Sequence, residues 1–210
     1  MKVFIAGAAG RVAAWVIRDL KEAGHTVRCA SRHPEGFGPE DDPVYFDLHS
    51  TVEEMAAQLD GADAVYFLAG SRGKDLLQTD AFGAVKLAQA AERRGVKRFV
   101  LLSSIFALEP ERWAEEPSLA SITNYNIAKF FADHWLTTSS ALDYTIVQPS
   151  VLKETEGTGR IELDPPHDGA NPIPDVAAVL AGVLERENTF RKVIRLRGGE
   201  VPIGQALDSI

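Results

Sequence analysis

Tyr125 and Lys129 are separated by four positions on a predicted helix, which puts both side chains on one helical face. A nearby ammonium group lowers the pKa of a phenol. Such a phenol can act as general acid or base toward a carbonyl or an alcohol. The pair therefore predicts proton transfer to or from a small substrate, and Lys129 is also placed to hold a ribose.

Two serines offer a hydroxyl to the same substrate. Ser103 and Ser104 follow the apolar run 99–102, which predicts a buried strand. Ligands of open α/β sheets bind at the carboxyl ends of the strands. A serine at this position can donate a hydrogen bond to a substrate oxygen, and Ser103 is also expected to contact a cofactor.

A glycine turn joins the first predicted strand to the first predicted helix. Gly7 suits the tight turn, and Gly10 allows the backbone to approach a pyrophosphate at the positive end of the helix. Ala13 stands where a third glycine is common. The turn predicts dinucleotide binding, the alternative being a structural turn that has lost its ligand. The expected cofactor contacts are Gly7, Ala9, Gly10, Arg11 and Val12.

The end of the second predicted strand distinguishes NADP from NAD. An acidic residue there would bind the adenosine ribose, but Ser31 and Arg32 occupy the position, with Arg28 and His33 nearby. A hydroxyl and a guanidinium suit a 2′-phosphate. NADP is the predicted cofactor and NAD the alternative. If Arg32 is instead a solvated arginine on a surface loop, it does not indicate NADP.

The elements that must position these residues alternate between strand and helix patterns. This alternation predicts an α/β fold: one doubly wound, Rossmann-type parallel sheet with helices on both faces, spanning residues 1–210. Capping boxes at residues 50–54 predict a helix that runs to Leu59, and a longer helix should end at Gly95. The predicted strands are 3–6, 26–30, 44–46, 64–68, 99–102, 144–147 and 193–196.

Loops 31–43, 109–118 and 153–174 follow strand ends, where ligands are expected. Trp113, in the acidic second loop, is either a lid that faces substrate or a packed side chain in a solvated loop. Trp15, on the first helix, is expected in the core or at a subunit contact.

Composition narrows the classes of partner. The net charge of −8 argues against a general nucleic-acid or membrane surface. Cys29, the single cysteine, is predicted to be a buried small hydrophobe. No signal peptide or spanning segment is predicted, so a cytoplasmic location is the expectation. The five histidines show no metal-ligand spacing, so no metal is expected.

Motifs along nearly the whole chain resemble the short-chain dehydrogenase/reductase superfamily, in its atypical, compact NAD(P)-binding branch related to NAD-dependent epimerase/dehydratases. They are Gly7-x-x-Gly10, Asp47-Leu48, Leu68-Ala69-Gly70, Leu102-Ser103-Ser104, Tyr125-x-x-x-Lys129 and Val147-Gln148-Pro149-Ser150.

By this resemblance, Ser104 rather than Ser103 orients the substrate, Tyr125 transfers the proton and Lys129 assists. The remaining cofactor contacts implied are to adenine from Asp47 and Leu48, near the ribose from Ala69, Gly70 and Ser71, and at the nicotinamide from Pro149, Ser150 and Val151.

The chain departs from the family pattern in two ways. Gln148-Pro149-Ser150 replaces the usual Arg-Pro-Gly, and the large substrate domain of nucleotide-sugar enzymes is absent; residues from about 150 onward are expected to form a small substrate-side extension. The leading hypothesis is an NADP-dependent oxidoreductase acting on a small carbonyl or alcohol. A non-catalytic, redox-sensing NAD(P)-binding protein and a nucleotide-sugar epimerase or dehydratase are the alternatives. A homodimer is suggested by family analogy alone.

Overall fold

Short apolar runs form the central strands of a nine-stranded sheet. The computed structural model describes residues 1–210 and gives the strand order β11-β8-β10-β6-β5-β4-β1-β2-β3. Every neighbouring pair from β10 to β3 is parallel, whereas β8 is antiparallel to both β10 and β11. The strands are β1 Lys2–Ala6, β2 Thr26–Ser31, β3 Val44–Tyr45, β4 Ala64–Phe67, β5 Arg98–Leu102, β6 Asp143–Pro149, β7 Val151–Lys153, β8 Arg160–Leu163, β9 Ala170–Pro172, β10 Lys192–Gly198 and β11 Val201–Pro202.

Helices cover both faces of this sheet, as the doubly wound prediction required. Along β1, Val3 and Ile5 enter one buried cluster while Phe4 and Ala6 enter the other, so the strand is apolar throughout. No helix combines the length and apolarity needed to cross a bilayer. The α-helices are α1 Arg11–Glu22, α2 Val52–Gln58, α3 Ala84–Arg94, α4 Pro117–Ala120, α5 Thr123–Ser139, α6 Ile173–Gly182 and α7 Ile203–Asp208.

Local signals at the helix ends agree with the structure at two of three places. Thr51 and Glu54 form a reciprocal capping box at the start of α2. Gly95, in a left-handed conformation, ends α3 after two arginines. On the first helix, the spacing of Val12, Val16, Leu20 and Ala23 predicts one apolar face that is ended by Gly24. In the structure Ala23 is exposed and lies beyond α1, so its predicted place on that face is wrong.

The burial of Cys29 and the exposure of Trp15 test the predictions made for these two residues. Cys29 lies in the core, where burial raises the pKa of its thiol to about 12 and keeps it inert. Trp15 is not a core residue, because its ring remains partly exposed and stacks against the Arg18 guanidinium.

Several elements have no clear sequence signal. The segment Leu76–Gly83 forms a π-helix that leads into α3, and the 3.6-residue period of an α-helix does not describe it. The predicted loop 153–174 contains all of β8 and β9, and β9 pairs with β7 in a separate two-stranded sheet. The strands β7, β8 and β9 lie in the part of the chain where a small substrate-side extension is expected.

The turn at Gly7 generates a stability prediction. Gly7 has φ +85°, and a Cβ there would lie 2.5 Å from both Cα and N of Ala69. Gly24 has nearly the same backbone conformation, φ +86°, with open space around it. Both alanine substitutions incur the left-handed penalty of about 1–2 kcal/mol, and Gly7→Ala should cost roughly 1–3 kcal/mol more through overpacking. Urea unfolding of the two variants measures the difference, and equal losses would contradict the contact argument.

Candidate functional site

Two adjoining cavities lie at the carboxyl ends of the parallel strands. The α5-side cavity, about 410 Å³, is bounded by α5 and the ends of β5 and β6. The β2-side cavity, about 380 Å³, is bounded by the ends of β2 and β4. They share Gly10, Leu68, Ala69, Gly70 and Arg72, so together they form one continuous cleft.

All the site residues predicted from the sequence line this cleft. On the α5 side these are Gly10, Arg11, Val12, Ala69, Gly70, Ser103, Ser104, Tyr125, Lys129, Pro149, Ser150 and Val151. On the β2 side they are Gly7, Ala9, Gly10, Ser31, Arg32, Asp47, Leu48, Ala69, Gly70 and Ser71.

The glycine turn fits a bound pyrophosphate. The amides of Gly7 and Ala8 donate to the Ala30 carbonyl, which fixes the turn beside β2. Gly10 is the extended N-cap of α1, and a Cβ there would lie 3.1 Å from the Gly7 carbonyl oxygen. The first-turn amides of α1 have no intrahelical acceptors, and Gly10, Arg11 and Val12 at this helix start line the cleft, as an anion site at a helix N-terminus requires.

The two candidate serines have different hydrogen-bonding environments. The Ser103 hydroxyl donates to the Asp133 carboxylate at 2.7 Å. Ser104 is half-buried and lines the α5-side cavity. Because Ser103 is engaged below the cavity, Ser104 is the serine better placed to bind a substrate oxygen.

Tyr125 and Lys129 lie one turn apart on the cavity face of α5. The Lys129 ammonium is buried, lies 5.7 Å from the centre of the Tyr125 ring and donates to the Leu102 carbonyl at 3.0 Å. An ammonium has three donors, so further donors of Lys129 remain for a ligand in the cavity. Tyr125 is half-buried at the cavity wall.

Cations surround the β2-side cavity. Arg32 is exposed at its rim beside buried Ser31, whose hydroxyl accepts the His33 amide. Arg28 does not line the cavity, because its guanidinium pairs with Asp42 at 2.7 Å. Sequence reasoning missed Arg72 and Lys74, which line the same cavity. Their place in the loop that follows β4 is the signal that would have identified them.

Four further residues of the cleft bury polar atoms; Ser71 and Ser150 are predicted from the sequence, whereas Asp80 and Ser118 were missed. Asp80, in the π-helix, is fully buried and accepts the Ser71 amide at 3.1 Å. The hydroxyl oxygens of Ser71, Ser118 and Ser150 are buried without a partner in the chain. Leaving such groups unpaired is costly, so their concentration along one cleft suits a polar ligand.

Trp113 is packed and does not form a lid. Its indole N–H donates to the Phe106 carbonyl at 2.9 Å, and its ring packs against Ile105, Phe106 and Leu119. Trp113 does not line either cavity. The packed interpretation therefore agrees with the structure, and the lid interpretation is wrong.

The loop of Trp113 is held to the loop 153–174 by a buried glutamate. The Glu116 carboxylate accepts hydrogen bonds from Arg112 at 2.6 Å, from the Asp168 amide at 2.9 Å and from His167 at 3.3 Å. Burial alone would raise the pKa of Glu116, but these donors outweigh it and hold the pKa below its usual range. This cluster fixes Ser118 and Leu119 at the edge of the α5-side cavity.

The family follows from comparison with known proteins. Residues 7–187 match the NAD(P)H-binding family model. The chain belongs to this family.

Individual relatives cover the full chain. The protein named "Uncharacterized sugar epimerase YhfK" of Bacillus subtilis is 32% identical over 100% of both chains. The yeast UPF0659 protein YMR090W is 30% identical over 100% of this chain and 99% of its own. The crystal structure of the oxidoreductase ylbE from Lactococcus lactis superposes with a TM-score of 0.96 at 42% identity, covering 100% and 96% of the two chains. Both oxidoreductase and epimerase names therefore occur among relatives of this fold.

The Glu116 cluster generates a pH-dependent stability prediction. Glu116→Ala should lower the free energy of unfolding by roughly 1.5–3 kcal/mol at neutral pH, since hydrogen bonds to a charged group are lost. Because the folded pKa is depressed, the wild-type advantage is present above the unfolded pKa of about 4.3 and is lost as pH falls through the folded pKa. Urea unfolding at several pH values tests this, with Glu115→Ala, an exposed neighbour, as control. Equal losses in both variants would contradict the role of Glu116.

Proposed function

We propose that the chain is an NADP(H)-dependent oxidoreductase that moves hydride between the nicotinamide and a small carbonyl or alcohol. One observation carries the proposal. Ser104, Tyr125 and Lys129 line one cavity, and that cavity continues past the glycine turn into a second one bounded by Ser31 and Arg32. A general acid, its cationic partner and a hydrogen-bond donor thus stand at one end of a dinucleotide-sized cleft.

The dinucleotide would be held along the whole cleft. Its pyrophosphate would lie against Gly10 and the start of α1, and its adenine near Asp47 and Leu48. At the nicotinamide end, Pro149, Ser150 and Val151 would form the border. When bound, NADP(H) supplies or accepts the hydride.

The preference for NADP rests on charge. Arg32 reaches the rim where a 2′-phosphate would lie, and Ser31 supplies a hydroxyl. Arg72 and Lys74 add positive charge to the same cavity. The end of β2 carries no carboxylate to repel a phosphate or to bind a ribose hydroxyl in the manner typical of NAD sites.

The proton is assigned to Tyr125. In reduction, its phenol donates a proton to the substrate oxygen; in oxidation, its phenolate takes one. The buried Lys129 ammonium places a positive charge beside the Tyr125 ring, 5.7 Å from its centre. Ser104 donates a hydrogen bond that holds the substrate oxygen beside the phenol.

The cavity walls indicate the size and character of the substrate. Ile105, Leu119, Ile122 and Leu152 line the α5-side cavity around the polar residues. This cavity must accommodate the nicotinamide as well as the substrate. A small, partly apolar carbonyl or alcohol suits the remaining space better than a nucleotide sugar does.

A second candidate is a sugar epimerase, favoured by the name of the YhfK relative. Tyr125 and Lys129 would take part in an epimerase reaction as well. The cofactor would then stay bound through each cycle and return to its starting oxidation state. Exchange with added NADPH, or its consumption, distinguishes the two functions. Tight NADPH binding with no turnover on a broad panel would instead favour a non-catalytic, redox-sensing protein.

Substitution of Tyr125 tests the proton transfer. Tyr125→Phe should lower kcat by roughly 10²- to 10⁴-fold, because general acid–base catalysis contributes that much. NADPH oxidation is followed with a panel of small aldehydes and ketones. Tyr144→Phe is the matched control, since Tyr144 lies near the amino end of β6, outside both cavities. Undiminished turnover in Tyr125→Phe would remove the phenol from the mechanism.

Substitution of Arg32 tests the cofactor preference. Arg32→Ala should weaken NADPH binding by roughly 10- to 100-fold, the equivalent of one or two charge-assisted hydrogen bonds. NADH affinity should remain unchanged, because NADH has no 2′-phosphate. Isothermal titration with both cofactors measures this, with Arg93→Ala, an exposed arginine paired with Glu53, as control. A wild-type protein without NADPH preference, or a variant that loses both affinities equally, would contradict the assignment.

A further inference from the structure

Asp133 is a buried carboxylate below the α5-side cavity. It lies on α5, one turn beyond Lys129, and has no exposed surface. Its Oδ2 accepts the Ser103 hydroxyl at 2.7 Å and the Gln148 side-chain amide at 2.8 Å. Its Oδ1 is buried without any hydrogen-bond partner.

This arrangement is unfavourable for stability. A buried charge is tolerated when it is paired with an opposite charge or fully hydrogen-bonded, and neither condition holds for Asp133. Burial raises the pKa of its carboxyl to about 6, although Ser103, Gln148 and the charge of Lys129 all act to lower it. An asparagine would fill the same space without the charge. Folding alone therefore does not account for an aspartate at this position.

The bonds of Asp133 join the three elements that carry the site. Ser103 directly precedes Ser104 at the end of β5, and Gln148 directly precedes Pro149 at the end of β6. Asp133 belongs to the helix that carries Tyr125 and Lys129. The two hydrogen bonds to Asp133 Oδ2 thus fix the rotation of α5 about its axis and its position along that axis, relative to the ends of β5 and β6.

We propose that Asp133 is a positioning residue for the reaction, which holds the Tyr125–Lys129 face of α5 against the ends of β5 and β6 so that it faces Ser104. This inference rests on the proposed function. The ionised carboxylate is the active form, because hydrogen bonds to a charged acceptor are about twice as strong as neutral ones. Protonation weakens both bonds and releases the helix.

Among the charged groups around Asp133, Lys129 is the one that acts on the pKa of its carboxyl. From β5 and β6 it meets the uncharged Ser103 and Gln148, and on its own helix the charge of Lys129 acts on it. The segment 76–94, which packs against α5, carries five charged residues: Asp80, Lys86, Glu92, Arg93 and Arg94. Asp80, Lys86 and Glu92 bond elsewhere, to the Ser71 amide, the Ser50 carbonyl and the Ala141 amide. The two arginines pair with Glu53 and Asp60.

The test compares Asp133→Asn with the wild-type protein in activity, stability and cofactor affinity. We expect kcat to fall roughly 10- to 100-fold, as for a displaced catalytic group, with NADPH affinity within about twofold. The wild-type decline of kcat below about pH 6 should disappear from the variant. At neutral pH the variant should be at least as stable as the wild type. Because the folded pKa is raised, its stability relative to wild type should grow as pH rises from about 4 to about 6.

Two further variants keep the test specific. Gln148→Leu removes one donor to the ionised form and should move the decline of kcat to higher pH. Asp175→Asn changes another buried aspartate, which accepts hydrogen bonds from Thr158 and Gly159 outside the cleft, and should leave the pH profile of kcat unchanged.

The outcomes separate this inference from the proposed function. If turnover depends on Tyr125 but Asp133→Asn keeps the wild-type kcat and pH profile, the positioning role is wrong and the proposed function stands. If kcat, stability and NADPH affinity fall together in Asp133→Asn, the residue is merely structural and the inference is also overturned. A wild-type protein that turns over nothing on the panel overturns the proposed function itself.

Discussion

The close contact between Gly7 and Ala69 is the constraint on which the cleft depends. Gly7 follows β1 and Ala69 follows β4, and these two strands are neighbours at the point where the direction of winding reverses. No side chain fits between their turns, so the two backbones approach until Ala69 and Gly70 form a floor common to both cavities. A bulkier turn would separate the β2 side from the α5 side. The length of the cleft, and hence its fit to a dinucleotide, follows from the missing Cβ.

The polar groups that serve this cleft lie where the apolar strands end. Within the strands, alternate apolar side chains fill the two clusters on opposite faces. Beyond their carboxyl ends stand Ser71, Ser103, Ser104 and Ser150. Three buried hydroxyls in the cleft have no partner, and each such group costs stability. Burial of the two apolar clusters provides the favourable free energy of folding that offsets the cost of these unpaired hydroxyls.

Sequence reasoning predicted the strands better than the surroundings of the site. The central strands β1, β4, β5 and β6 and the left-handed end at Gly95 have strong local causes, namely nearly continuous burial and C-cap chemistry. Asp133 and Asp80 were missed because a buried carboxylate has no periodic or motif signal in a single sequence. The π-helix that brings Asp80 to the cleft follows a five-residue hydrogen-bond period, which helical pattern analysis does not test. The prediction for Ala23 was wrong for a simpler reason: α1 ends at Glu22, one residue before the apolar face predicted from the sequence is complete.

The local charge of the cleft differs in sign from the net charge of the chain. A protein of net charge −8 repels an anionic dinucleotide at long range. Near β2, however, two acidic side chains are paired with cations: Asp42 contacts both Arg28 and Lys2, and Asp41 contacts Lys21. The β2-side cavity itself is lined by two carboxylates, Asp47 and Asp75, and by three cations, Arg32, Arg72 and Lys74. The cations that face the β2-side cavity stay outside these pairs. Because the Debye length at physiological salt is about 8 Å, the near field of those cations governs a phosphate at the rim, and the net charge does not.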